Sequence, residues 1–219
     1  MTTTITNIIT DELLNPTFEM TRQYLKILEI NYEDNIPKIA KIELNQSQNQ
    51  ATAYVEIKNE SFYLEFVFDT TDNLEISGVN TAPFIGISFT PTSEELTLEK
   101  LLSLTTINPT KTISKGDFFS NGKFEFTYNG LEFNSTSEPG RLEHKLNSLL
   151  DLLETDIEGI KELSKQTKCN DLFVTIIYHI GNGNFTGLHI DTQIINRLSK
   201  LGLELTFDIY ATGNKFTTE

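Results

Sequence analysis

The chain has 219 residues, 17 Lys and Arg against 31 Asp and Glu, and a net charge of −14 at neutral pH. Hydrophobic residues make up 38% of it and aromatics 10%, which is enough to bury a core and excludes a disordered acidic tail. Charge of this sign repels a phosphate backbone, so nucleic acid is excluded as a direct partner, and no apolar stretch approaches the ~20 residues of a membrane span.

The acidity is spread out: residues 1–82 hold 13 acids and 5 bases, and residues 83–219 hold 18 acids and 12 bases. The single cysteine, Cys169, allows no intrachain disulfide and reads as a quiet half-buried thiol. The N-terminus lacks a basic leader pattern, and the cytoplasm is the expected compartment.

Asn15 and Pro16 have the spacing of an N-cap and first helical residue. Phe18, Leu25 and Leu28 then share a face with Thr21, predicting a helix from about Pro16 to Glu29. Ile36–Leu44, Ala51–Lys58, Phe62–Asp69 and Leu74–Val79 alternate in character and predict an antiparallel meander. Residues 80–83 (NTAP) read as a turn and a domain boundary. The expected organisation is therefore 1–82, a helix on an antiparallel sheet, and 83–219, a second α+β domain.

Phe84–Thr90 reads as a buried strand. Thr92 and Glu95 have capping-box spacing, with Ser93 as an alternative cap, ahead of a helix to about Leu104. Residues 105–117 read as a loop. Lys123–Asn134 reads as a strand, or as a hairpin turning at Asn129–Gly130. Leu142, Leu146, Leu149, Leu150 and Leu153 lie on one helical face, and a second helix after Thr155 continues with Ile157, Ile160 and Leu163. In Leu172–Tyr178 both alternating faces are largely apolar, which predicts a central strand covered on both sides or one in a domain–domain contact. Asp191 is placed to cap a helix that Gly202 ends, and Leu203–Tyr210 follows as the last strand. The tail from Ala211 is expected to fray. The class is α+β: two packed α+β units, the second a ferredoxin-like succession of β-α-β, two helices and β-α-β.

The part from Phe84 resembles the bacterial DUF4279 family of uncharacterised domains. The resemblance rests on the ordered motifs Pro109–Thr110, Lys115–Gly116–Asp117, the leucine helix 142–154, and GLHIDTQIINRLSKLGLELTFDIY at 187–210. Members often carry a Trp in the strand after Lys-Gly-Asp; here Phe126 and Tyr128 occupy it, and the chain has no Trp. The resemblance implies an α+β domain and assigns no activity.

His179, Asn182, Asn184, His189 and Asp191 flank or lie within a Gly-Asn loop. If the chain returned like a hairpin, His179, His189 and Asp191 would converge as a metal or acid–base site. The plainer interpretation makes both histidines strand-edge residues and Asp191 a helix cap. GNGNFTG at 181–187 lacks the Lys-Ser/Thr of a phosphate loop. No nucleophile elbow or calcium-loop pattern is present, and no cofactor is implied. The expected function is a non-catalytic interaction protein, immunity- or antitoxin-like, with an acidic face for a cationic protein partner. The alternative is an enzyme, or a small-ligand or metal-binding domain, built on His179, His189 and Asp191.

Overall fold

The computed structural model describes residues 2–119, 122–182 and 188–216. The protein is α+β. It divides into two compact units: residues 1–85 with 176–186 and 209–219, and residues 86–175 with 187–208.

The first unit opens with helices α1 (Thr2–Leu14) and α2 (Glu19–Leu25) and a short ribbon of β1 (Tyr32–Glu33) and β2 (Ile36–Pro37). Then come β3 (Ile39–Asn45), β4 (Gln50–Glu56), β5 (Tyr63–Asp69) and β6 (Glu75–Ala82), an antiparallel meander in sequence order. Period-2 alternation puts Leu64, Phe66 and Phe68 on one face of β5, all fully buried. Their cross-strand partners on β4 are Val55, Ala53 and Ala51, so large side chains lie beside small ones. Ile5, Ile9 and Leu13 of α1, spaced four apart, close the same core together with Tyr24 and Leu28. Burying each such side chain contributes about 1.5–3 kcal/mol.

Two expectations are corrected here, and one helix is added that the sequence reading did not name. The Thr/Ile-rich start is a helix; its low-propensity composition hid the four-residue spacing of its apolar face. The helix predicted over 16–29 is only Glu19–Leu25, and Asn15 ends α1 by donating its N–H to the Asp11 carbonyl. Residues 80–83 are not a turn: β6 stays in the ladder through Ala82, opposite Tyr63.

The second unit holds most of β7 (Phe84–Phe89), then β8 (Thr92–Ser93), α3 (Leu98–Leu102), β9 (Lys111–Ile113), β10 (Asn129–Asn134), α4 (Leu142–Leu153), α5 (Ile157–Thr167), the first part of β11 (Asp171–His179), α6 (Thr192–Leu201) and the first part of β12 (Glu204–Thr212); the later parts of β11 and β12 belong to the first unit. The sheet order is β12-β11-β7-β10-β8, with β9 also on β10. Glu204 N–H bonds Asn170 O and Ile180 N–H bonds Thr212 O, so β11 and β12 run parallel around α6. Asp191 caps α6 through Ile194 N–H at 2.8 Å, and Gly202 ends it at φ +71°, both as expected.

Arg197 of α6 reaches α4, donating to Asn147 Oδ1, Asp151 Oδ1 and Glu154. The Glu154 hydrogen bond is the chief reason its pKa is raised.

The capping expectation at Thr92–Glu95 is also corrected. Thr97 caps α3 by accepting Lys100 N–H, while Ser93 Oγ takes the N–H groups of Glu95 and Leu96 in a local turn. Asn129–Gly130 does not turn a hairpin. It opens β10, pairing with Ser93 and Thr92, and a Cβ at Gly130 would sit 2.9 Å from the Thr92 methyl. The glycine is there for close strand approach.

Candidate functional site

His179 ends β11 and lies in the first unit with no solvent exposure. Its ring sits among Tyr24 (5.8 Å), Phe62 (5.1 Å) and Phe216 (5.6 Å). Nε2 is 2.9 Å from the Asn214 carbonyl oxygen. A carbonyl only accepts, so Nε2 carries the proton. Nδ1 is buried with no hydrogen-bond partner among the described residues. The tail that was expected to fray therefore packs as far as Phe216: Asn214 also donates to the Ile27 carbonyl, and Phe216 rests on Tyr24.

Asn182 belongs to the same unit; its Oδ1 accepts the Thr81 hydroxyl at 3.0 Å and its N–H bonds the His179 carbonyl. Asn184 lies outside the described residues. His189 and Asp191 belong to the second unit. His189 is exposed, and the Asp191 carboxylate is engaged in capping α6. Among the described residues no group of three or more His, Cys, Asp or Glu side chains is placed to hold a metal ion. His179 is thus a core residue of an aromatic box and not the strand-edge residue that its position suggested. Cys169 donates its thiol to the Thr90 carbonyl; burial, and then the charge of Asp171, push its pKa up, away from nucleophilic use.

The second unit offers a different kind of surface. Along β11, Leu172 and Val174 are fully buried, but Phe173, one step out of phase, is 37% exposed. The expectation of two covered faces thus fails, even though β11 is central in its sheet. Asp171 and Thr175 share the open face with Phe173 by alternation. The Thr206 hydroxyl bonds Asp171 at 2.7 Å, so Thr206 lies on that face, together with Glu204 and Asp208 of β12. On the far side Ser88 of β7 pairs with Asn134 of β10, opposite in phase to the buried, stacked Phe89 and Phe133, which adds Glu132 to the open face. Glu132, Asp171, Glu204 and Asp208 make it acidic, and Lys111, across the ladder from Glu132, is the countercharge there.

A short antiparallel ribbon begins at the Lys-Gly-Asp motif. Its ladder joins Gly116, Asp117 and Phe119 to Phe126 and Phe124. Phe119 and Phe126 stack at 4.0 Å with Tyr128 edge-on, leaving Phe118 and Phe124 more than 60% exposed. In the sequence the open sheet face was visible only as the polar phase of ELTFD.

The second unit is thus an α+β module whose sheet has one buried face and one open acidic face, with exposed aromatics beside it. Residues 83–212, from β7 to the end of β12, match the domain of unknown function DUF4279, and the chain belongs to that family. Residues 1–82 lie outside the match. No curated protein and no solved structure matches the chain.

Proposed function

We propose that this protein is a non-catalytic interaction module, of the immunity or antitoxin kind, that binds a cationic protein through the open sheet face of its second unit. The observation that carries this reading is Phe173, an exposed aromatic on an interior strand, on the sheet face that also carries Glu132, Asp171, Glu204 and Asp208. An apolar anchor inside a rim of one charge is the arrangement by which interfaces combine affinity with electrostatic steering. The net charge of −14 adds long-range attraction to the same class of partner. The reading places the protein in the cytoplasm, in keeping with a lone, unpaired cysteine. The observation in favour of the small-ligand alternative is the buried Nδ1 of His179, unpartnered among the described residues.

The test is capture from an extract of the native host by the tagged full chain, repeated with Phe173→Ala and with Asp208→Lys. A stoichiometric basic protein should be retained by the wild type, released by added salt, and lost from both variants. Failure to retain any partner, or equal retention by all three proteins, overturns the proposal.

A further inference from the structure

Strand β12 is one continuous nine-residue strand at the end of its sheet. Sheet edges carry a row of unpaired backbone groups, and proteins blunt them with Lys, Pro, bulges or a covering element. The meander of the first unit does this at both ends. Its β3 edge carries Lys41 and a register shift, and α2 lies against β6. β12 has neither Lys, Arg nor Pro between Glu204 and Thr212, and among the described residues no strand pairs with its outer edge.

The direction of its backbone groups is fixed by two bonds to the β11 side, Glu204 N–H to Asn170 O and Ile180 N–H to Thr212 O. In a parallel pair alternate residues face the neighbour, so Glu204, Thr206, Asp208, Tyr210 and Thr212 bond inward. Leu205, Phe207 and Ile209 point their N–H and C=O groups outward. These same three residues carry apolar side chains; Leu205 and Phe207 are half-buried and Ile209 is 45% exposed. The edge is therefore sticky in two ways at the same positions.

We propose that this edge pairs with a second copy of the chain, antiparallel, across a two-fold axis at Phe207. A two-fold contact sets each surface against itself, so the strand must be self-complementary. Centred on Phe207, it is. Phe207 meets Phe207 as a hydrogen-bonded pair, and Leu205 and Ile209 exchange backbone bonds with each other's counterparts. On the other face Thr206 lies opposite Asp208, and Glu204 opposite Tyr210. Asp208 is thereby kept from its own copy, and no two like charges face each other directly. Centring on Thr206 would set Glu204 against Asp208, and centring on Asp208 would stack the two carboxylates.

The full chain should be examined at 0.15 M salt, where screening over about 8 Å leaves only local charge to act. Sedimentation should show a concentration-dependent dimer. Ile209→Lys should give a folded monomer, and Leu205→Glu combined with Ile209→Lys should restore the dimer, because these positions face each other only in this register. If a variant fails to fold, hydrogen exchange on the wild type decides. The outward amides of Leu205, Phe207 and Ile209 should gain protection with concentration, while the inward amides of Thr206 and Asp208 are protected throughout. A wild type that stays monomeric to its solubility limit, a dimer that Ile209→Lys leaves intact, or outward amides that exchange freely at every concentration would each overturn the proposal. The first of these, with a host peptide protecting the same amides, would assign the edge to a foreign strand.

Discussion

Replacing Glu12 by alanine should destabilise the protein by about 3 kcal/mol, although Glu12 is one acid among many on an acidic chain. The side chain is only 5% exposed. From α1 its carboxylate accepts the Thr17 N–H at 3.0 Å, the Thr17 hydroxyl at 2.6 Å and the Phe18 N–H at 3.0 Å. Phe18 is the N-cap position of α2 and offers no side-chain cap, so Glu12 supplies that cap from the preceding helix. Hydrogen bonds to charged groups contribute about 1.5–3 kcal/mol each, and three on one carboxylate are not additive, which gives the figure above. Burial alone would raise its pKa, but the bonds from Thr17 and Phe18 outweigh it and the net shift is downward from 4.5. The buried Thr21 hydroxyl adds to that lowering, although its geometry falls short of a hydrogen bond and leaves its oxygen unpartnered among the described residues. A folded pKa below the unfolded one means that the stabilisation is complete above 4.5 and is lost as the pH falls through the folded value. Urea unfolding of wild type, Glu12→Ala and Glu12→Gln, followed from pH 7 downward, tests this. The gap between wild type and Glu12→Gln should be about 1–2 kcal/mol at neutral pH and should close under acid. A gap below about 0.5 kcal/mol for Glu12→Ala at neutral pH, within the range of an ordinary surface change, would refute the reasoning.

Arg197→Met keeps the length of the side chain but removes its bonds to Asn147, Asp151 and Glu154, and should lower stability by about 2 kcal/mol with little change in helical circular dichroism. Gly213→Ala should cost about 2 kcal/mol by urea melting, because φ is +87° and the new methyl would lie 2.9 Å from Phe62 Cζ and 3.0 Å from His179 Cδ2. Asp156 accepts Thr106 N–H and the hydroxyls of Thr105 and Thr106, and caps α5 through Gly159 N–H. Its pKa is lowered chiefly by the Thr106 backbone bond, so Asp156→Asn should destabilise at pH 7 and converge with wild type below the usual carboxylate range, read by thermal melts across pH.

Much of the fold was legible because it follows from periodicity. The alternation of FYLEFVFD, the leucine face of 142–153 and the Asp191–Gly202 caps each name a local structure that tertiary packing did not need to change. What the sequence hid was decided by distant partners. The α1 face (Ile5, Ile9, Leu13) is diluted by threonines, and helical stability there comes from burial in the core that it shares with Phe66 and Phe68. Asn129–Gly130 has the chemistry of a hairpin turn, yet it is held extended. Asn129 bonds Lys115 N–H and the Leu96 carbonyl, and its neighbour lets β8 approach closely. The candidate site was the least legible part. Two histidines ten residues apart suggested convergence; one is sealed in an aromatic box of the first unit and the other is exposed in the second. The open acidic face draws on β10, β11 and β12, and only the sheet order brings those carboxylates together.

The most direct test of the central claim is the dissociation constant of the captured partner, measured by calorimetry for wild type and Asp208→Lys at two salt concentrations. The acidic-face account predicts that wild-type binding weakens as salt rises and that Asp208→Lys loses about tenfold or more at low salt, equivalent to about 1.4 kcal/mol. A dissociation constant that neither salt nor the charge reversal moves would contradict it.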